Sequence, residues 1–201
     1  MHSEIDCIDH HHSTFLSPYP EQMGFDLGDN VVKHGRLLIR DTDLQHTVAK
    51  IAATIINGYA GKDAPHFLIN IRNGSLFGSD LLQRISIPVT FDFMMQHEGK
   101  NEYFFVDEER IKDKTVIIVN GPTNDYFHWK PIMDKLYELK AKDVQYCAMT
   151  LIQRNTDTPP ETFQYIGYLL TNVQSNMYLV GYGAGRKSKN QNVKALYAVE
   201  S

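Results

Sequence analysis

The sequence has little cysteine and no long hydrophobic run. Its 201 residues include 2 cysteines. These residues, Cys7 and Cys147, lie far apart and form no CxxC motif, so we expect reduced thiols in a cytoplasmic protein. No stretch approaches the roughly 18 to 20 apolar residues that a membrane span needs. Residues 1–9 contain acidic side chains and no apolar core of a signal peptide, so none is expected. These absences argue against a disulfide scaffold and a membrane partner.

An excess of positive charge is also missing. The chain has 20 basic and 24 acidic residues, a formal net charge of -4. Because no block of Lys and Arg stands out, no nucleic-acid partner is predicted. Hydrophobic residues make up 42% and charged residues 22% of the chain, proportions that are ordinary for a globular protein with a core. The length suits one domain, with or without a small appendage.

Residues 1–30 show no regular pattern. They include three consecutive histidines, His10 to His12, followed by prolines and glycines. We expect a solvated loop there rather than a metal site, because consecutive side chains do not converge on one ion. Regular patterns begin at Val31. The sequence therefore predicts an irregular N-terminal segment over residues 1–30, which contributes to a hood, and one domain over residues 31–201.

Helical spacing of apolar residues predicts three helices. Asp41 and Thr42 are expected to cap the first, with Gln45 as the capping-box partner, and its apolar repeat runs up to residues 57–58. The second follows a turn at residues 72–75 and carries Phe77, Leu81, Leu82 and Ile85 on one side. The third begins near Pro131.

Short apolar runs between these helices predict strands. The runs lie at residues 67–71, 87–93, 115–119, 144–151, 177–180 and 196–199. A loop is expected at Gly121–Pro122. This order of elements predicts an α/β fold with a mainly parallel sheet covered by helices on both faces.

Glycine turns and apolar strands follow one another in a specific order along the chain: His34-Gly35-Arg36-Leu37-Leu38, Asn70-Ile71-Arg72-Asn73-Gly74-Ser75, Ile87-Pro88-Val89-Thr90-Phe91-Asp92-Phe93, Lys114-Thr115-Val116-Ile117-Ile118-Val119 and Val180-Gly181-Tyr182. In order and spacing, over roughly residues 31–199, these segments resemble the hypoxanthine-guanine phosphoribosyltransferase family. The resemblance implies the type I phosphoribosyltransferase fold, a parallel sheet flanked by helices with a small hood. It also implies transfer of ribose 5-phosphate from phosphoribosyl pyrophosphate to a 6-oxopurine, with magnesium.

The segment that follows strand 115–119 departs from the pattern of that family. The resemblance places Asn120 and Gly121 where the family has the acidic pair that holds the ribose hydroxyls. It places Asn124 where the family has the aspartate that acts near the purine N7, and Asp125, one residue along, is the candidate to replace that aspartate. The degenerate loop for phosphoribosyl pyrophosphate also contains Thr123, Tyr126, Phe127 and His128. A carboxylate there repels phosphate, and Tyr126 replaces a glycine that allows close approach.

Further positions implied by the resemblance have also changed. Thr162 aligns near the lysine that binds the purine 6-oxo group, Gly185 with an aspartate that contacts purine and metal, and Gln191 near an arginine that faces pyrophosphate. The flexible loop that closes over the reaction centre is shortened to residues 94–103. Loss of closure matters by itself, because excluding water stabilises a charged transition state.

Other positions match the family. Arg72 lies where the family has a basic residue in the pyrophosphate-contacting turn, and Asn73 and Gly74 keep the tight backbone of that turn. Tyr178 matches the aromatic residue that stacks on the purine, and Leu179 the residue whose backbone contacts it. These are the candidate substrate-binding residues, together with Thr162.

The leading hypothesis is a pseudoenzyme that serves as a structural or regulatory subunit and keeps weak purine or nucleotide binding. It needs no cofactor and no metal ligand. The alternative is a divergent active purine phosphoribosyltransferase, which uses magnesium and relies on Asp125. A third hypothesis is a module that senses a purine without turnover. Expected partners are a second copy of the chain in a dimer or tetramer, or a paralogue in a hetero-oligomer. The aromatic residues Tyr126, Phe127 and Trp129 either fill the emptied site or face such a partner.

Overall fold

The computed structural model describes residues 19–26, 32–96, 103–123, 130–153, 163–171, 176–185 and 189–200. The strands are β1 Gln22–Asp26, β2 Val32–Ile39, β3 His66–Asn70, β4 Thr90–Gln96, β5 Tyr103–Phe105, β6 Thr115–Thr123, β7 Asp143–Gln153, β8 Tyr165–Thr171, β9 Met177–Val180 and β10 Leu196–Glu200. The helices are α1 Asp41–Gly58, α2 Ser75–Leu82 and α3 Lys130–Glu138, with a 3₁₀ turn at Glu108–Arg110.

The strands form two sheets. The larger is six-stranded in the order β5-β4-β3-β6-β7-β8, and only the β4–β5 pair in it is antiparallel. The smaller is a four-stranded antiparallel sheet in the order β1-β2-β10-β9. The prediction of a mainly parallel sheet with flanking helices and a small hood is confirmed.

Side chains that alternate along the parallel strands supply one core on each face of the large sheet. Phe67, Ile69 and Val119 face a first core that α1 and α2 cover. Leu68 and Ile118 face a second core that α3 covers. Burial on both faces explains why the strand sequences are continuous apolar runs. A third, small core lies on the small sheet and contains Phe25, Val180, Val193, Ala195, Tyr197 and Val199.

Helix α1 forms where the apolar spacing predicts it, but its capping differs from the prediction. Arg40 is the N-cap residue and no side chain caps the helix. Asp41 and Asp43 lie in the first turn, where negative charge interacts favourably with the helix dipole. The Gln45 side chain donates to Asp80 Oδ2 at 2.7 Å instead of capping. The prediction of a capping box is therefore wrong, because Gln45 forms a hydrogen bond to Asp80 of α2 and not to the backbone at the start of α1.

Several boundaries also differ from the sequence-based expectations. Gly121 and Pro122 are not a loop, since they continue β6, with Pro122 opposite Thr150 of β7. Strand β4 begins at Thr90 rather than residue 87. Strands β1, β2, β5 and β8 were not predicted, and β1 lies inside the segment expected to be irregular. The histidines at residues 10–12 lie outside the described residues. Among the described helices, none has the length and apolarity to cross a membrane.

His66 is a buried titratable residue at the start of β3. Its side chain is fully buried, its Nδ1 lies 2.9 Å from Thr90 Oγ1, and its Nε2 lies 3.9 Å from Asp92 Oδ2. Burial lowers the pKa of His66, and the carboxylate of Asp92 offsets this only in part. The folded chain therefore keeps a neutral imidazole at a pH where the unfolded chain protonates it.

We expect this histidine to make the free energy of unfolding fall as the medium becomes acidic. Below the ordinary pKa of about 6.5, the unfolded chain binds a proton that the folded chain does not, so stability decreases as pH falls. Urea unfolding at pH 7 and pH 5 should show a smaller acid-induced loss for His66→Gln than for the unmodified chain. His46→Gln, an exposed residue of α1, is the matched control. An unchanged pH dependence in His66→Gln would contradict the prediction.

Candidate functional site

The candidate site lies at the carboxyl ends of β3 and β6, which meet at one edge of the large sheet. Residues 71–74 form a turn between β3 and α2. The turn is held by Asn70, whose Oδ1 accepts a hydrogen bond from the Arg72 amide at 3.1 Å. The Asn70 carbonyl accepts another from the Gly74 amide at 2.8 Å. The turn therefore has a fixed backbone and an exposed arginine side chain.

The backbone of this turn packs directly on β6. A Cβ atom on Gly74 would lie 2.6 Å from the Val119 carbonyl oxygen. A Cβ atom on Gly121 would lie 1.8 Å from the Asn73 carbonyl oxygen, and one on Gly183 would lie 2.8 Å from the same oxygen. The Asn73 carbonyl thus lies between two glycines, neither of which can be replaced without movement of the backbone.

Asn120 does not present its side chain at the sheet edge. It is fully buried, and its Nδ2 donates to the Tyr146 hydroxyl at 3.0 Å. Strand alternation places Asn120 on the same face as Ile118, toward the second core. At the two positions that resemble the acidic pair, there is thus a buried amide at 120 and no side chain at 121.

Position 185, which the resemblance aligns with an aspartate, also has no carboxylate, because it is a glycine. A Cβ atom at this position would lie 2.1 Å from the Lys189 carbonyl oxygen, so the local backbone leaves no room for a side chain. Gln191 is nearby, and its Nε2 donates to the Gly183 carbonyl at 2.9 Å and to the Arg72 carbonyl at 3.4 Å. Gln191, which aligns near the arginine that faces pyrophosphate, is therefore uncharged. Its side chain holds two backbone segments together.

Residues 181–184 form a tight turn that links the small sheet to α2. Tyr182 and Gly183 have φ angles of 48° and 92°, and the Gly181 and Ala184 backbones exchange two hydrogen bonds. The Tyr182 hydroxyl donates to Asp80 Oδ2 at 2.7 Å. Burial is the main cause that raises the pKa of Tyr182, and the bond to Asp80 adds to it, so the phenol remains a neutral donor. Sequence analysis missed Asp80 and Tyr182 as site-supporting residues, although a glycine on each side of Tyr182 signals an unusual backbone.

Tyr178 and Leu179 lie on β9 and point to opposite faces of the small sheet. Leu179 is buried in the first core. Tyr178 is half-buried and packs against the third core. Its hydroxyl oxygen is buried and has no hydrogen-bond partner within the part of the chain that the structure describes. The expected purine-stacking residue thus has an unsatisfied polar atom at the end of its ring.

The structure brings together one group of the predicted residues: Arg72, Asn73, Gly74, Asn120, Gly121 and Gln191. Thr123 ends β6, and its backbone pairs with Leu151. Other predicted residues lie outside the described residues: Asn124, Asp125, Tyr126, Phe127, His128 and Thr162. Their predicted roles remain predictions.

The described residues do not fit a magnesium ion at this edge. Mg²⁺ is bound through carboxylates together with substrate phosphates, and positions 120, 121 and 185 supply none. Nor do the described residues contain a group of three or more His, Cys, Asp or Glu that could hold a metal ion.

Solved structures provide the comparison. A hypoxanthine-guanine phosphoribosyltransferase from Bacillus anthracis superposes with a TM-score of 0.68 at 23% identity, covering 81% of this chain and 96% of that chain. A hypoxanthine-guanine-xanthine phosphoribosyltransferase gives 0.69 at 18% identity, covering 83% and 97%. A hypoxanthine phosphoribosyltransferase from Staphylococcus aureus gives 0.64 at 19% identity, covering 82% and 92%.

The chain has the type I phosphoribosyltransferase fold. The resemblance to hypoxanthine-guanine phosphoribosyltransferases is thereby confirmed at the level of architecture over most of the chain. No protein-family model matches the sequence, and no curated protein does. Identity below 25% carries the fold and no activity, so function depends on the site residues.

The contact between Gly121 and Asn73 can be tested by substitution. We expect Gly121→Ala to lower the free energy of unfolding by at least about 2 kcal/mol, because an added methyl group forces two backbone segments apart. Gly58→Ala is the matched control, since its Cβ would have only the Tyr165 hydroxyl at 4.0 Å. Alanine in a helix is favoured over glycine by up to about 1 kcal/mol. Urea unfolding measures both, and equal stabilities would refute the close approach.

Proposed function

We propose that this chain is a catalytically degenerate hypoxanthine-guanine phosphoribosyltransferase homologue that acts as a structural or regulatory subunit. The observation that carries the proposal is the loss of carboxylates at positions 120, 121 and 185. The amide at position 120 is bonded to Tyr146 in the core. Gly121 and Gly185 have no space for a side chain. These three positions therefore differ from exposed positions, where a neighbouring side chain could supply the missing charge.

The reaction that the resemblance implies needs those charges. A carboxylate pair holds ribose hydroxyls, and a positioned proton acceptor typically contributes about 10²–10⁴-fold to a rate. The turn at Arg72 still offers a cation and a fixed backbone, which are suited to an anion. We therefore propose that the turn still binds phosphate although catalysis has been lost. The chain would then keep weak binding of a purine or nucleotide.

An assay of nucleotide formation tests the absence of catalysis. Purified chain supplied with phosphoribosyl pyrophosphate, magnesium and hypoxanthine or guanine should form no nucleotide above the rate without protein. An active enzyme of the same fold, assayed in parallel, shows that the conditions support turnover. Turnover at ordinary enzyme rates would refute the proposal. If Asp125→Asn then removed that turnover, the alternative of a divergent active transferase that uses Asp125 would be supported.

A binding titration tests the remaining purine site. Guanosine monophosphate should bind, and Tyr178→Ala should weaken binding at least about tenfold, because stacking on an aromatic ring is worth about 1–3 kcal/mol per base. Tyr178→Phe keeps the ring and should bind nearly as the unmodified chain does. Tyr137→Ala, on the exposed side of α3, controls for loss of a tyrosine elsewhere. Heat of binding that is identical in all four proteins would contradict a role for Tyr178.

The proposed subunit role also includes a location in the cell and a partner. We place this subunit in the cytoplasm, where the free, buried Cys147 would stay reduced, and we expect it to pair with itself or with a paralogue. Nucleotide binding without turnover would then serve to sense purine supply.

A further inference from the structure

Four exposed lysines lie together at the end of the large sheet that is opposite the candidate site. Lys112 and Lys114 belong to the turn that precedes β6, and Lys140 and Lys142 belong to the turn that precedes β7. Because β6 and β7 are parallel, both turns lie at the amino ends of the strands, whereas the candidate site lies at the carboxyl ends. We call these four residues the lysine patch.

Two backbone hydrogen bonds hold the turns of the lysine patch against each other. The Asp113 amide donates to the Lys140 carbonyl at 2.9 Å, and the Lys142 amide donates to the Lys114 carbonyl at 2.8 Å. Ile111, at the start of the first turn, is fully buried in the second core. The backbone under the patch is therefore fixed, and a partner that binds there does not have to order it.

Lys140 has a backbone conformation in which glycine is usual. Its φ angle is 62°, and it follows α3 in a Schellman motif. In this motif the Lys140 amide donates to the Tyr137 carbonyl at 2.9 Å, and the Ala141 amide donates to the Leu136 carbonyl at 3.0 Å. Glycine is the usual residue at the left-handed position, because a side chain there is strained. The chain thus carries an ammonium group where glycine would cost less, and strain of this kind is an indication of function.

The lysine patch has an excess of positive charge in a chain that is negative overall. Residues 111–114 and 139–142 contain four lysines and one aspartate, whereas the whole chain has a net charge of -4. In the part of the chain that the structure describes, Lys112, Lys114 and Lys140 form no ion pair. The contact of Lys142 Nζ with Asp63 Oδ2 is long, at 3.9 Å. These ammonium groups are therefore available to a negatively charged partner.

The carboxylates within the patch favour a protein partner over a phosphate polymer. Asp113 is exposed between Lys112 and Lys114, and Asp143 follows Lys142. A nucleic acid or an anionic bilayer presents phosphate groups along its whole surface, so some of them would face these carboxylates. An acidic protein segment can place glutamates or aspartates opposite the lysines and an uncharged or basic side chain opposite Asp113.

We infer that the lysine patch binds an acidic segment of another protein. The inference goes beyond the proposed function, because it concerns a different surface and does not require that the candidate site bind anything. Strand β6 has 9 residues, so at roughly 3.3 Å per residue the patch lies about 30 Å from the candidate site. A partner bound at the patch therefore leaves the candidate site open.

Titration of the full chain with a fluorescent decaglutamate peptide tests the inference. The unmodified chain should bind the peptide at low ionic strength and release it as salt is added. Lys112→Gln combined with Lys140→Gly should raise the dissociation constant at least about fivefold, because half of the ammonium groups of the patch are lost. Absence of binding by the unmodified chain would overturn the inference.

A second pair of substitutions is the matched control. Lys50→Gln combined with Lys130→Gln removes two exposed lysines of α1 and α3 outside the patch and should leave peptide binding unchanged. Equal dissociation constants for the two double variants would overturn the inference. Phosphatidylserine vesicles and duplex DNA are the competing probes, and tighter binding of either one than of the peptide would also overturn it.

Stability and hydrogen exchange separate binding from folding. Because Lys140→Gly relieves a strained position, the patch variant should resist urea at least as well as the unmodified chain. In the unmodified chain, amides of residues 111–114 and 139–142 should exchange more slowly when the peptide is present. Protection confined to other residues would overturn the inference, whatever the behaviour of the variants.

Discussion

The backbone carbonyl of Asn73 is the point on which the candidate site depends. Gly121 and Gly183 approach it from two different parts of the chain, and the neighbouring Arg72 carbonyl is bonded to Gln191. The turn of residues 71–74 therefore holds the end of β6, the turn after β9 and the segment before β10. Because the carbonyl is fixed by contacts on both sides, the position of each of these segments is coupled to that of the others.

Hydrogen bonds extend this coupling from the turn to the helices. Tyr182 reaches Asp80 of α2, Asp80 also accepts from Gln45 of α1, and Arg84 donates to Gln45 at 2.7 Å. These side chains connect the small sheet with the helices that cover the first core. The result is a set of firmly positioned surroundings for positions 120, 121 and 185, none of which has an acidic or basic side chain.

The sequence predicts the fold through its apolar periodicity, and it fails where a tertiary contact decides the local structure. Helix α1 and strand β3 could be predicted because each buries a regular set of side chains in one core. Strand β8 was missed because Gly167 interrupts its pattern, and that glycine is required where a Cβ would lie 2.5 Å from the Met149 carbonyl. Gly121–Pro122 suggested a loop because a glycine there also interrupts the apolar pattern of the strand. At the site, the resemblance to a known family indicated that carboxylates are missing at positions 120, 121 and 185. The backbone contacts that exclude a side chain at 121 and 185 can be seen only in three dimensions.

The packing at position 121 also limits the evolutionary routes open to this chain. An acidic residue there requires the turn that carries Arg72 to move first, and Gln191 holds that turn by a hydrogen bond to the Arg72 carbonyl and also binds the Gly183 carbonyl. Each intermediate along such a route would carry a displaced backbone before it gained any benefit from the new charge. A single mutation therefore cannot place an acidic side chain at position 121, which makes glycine at this position difficult to replace during evolution.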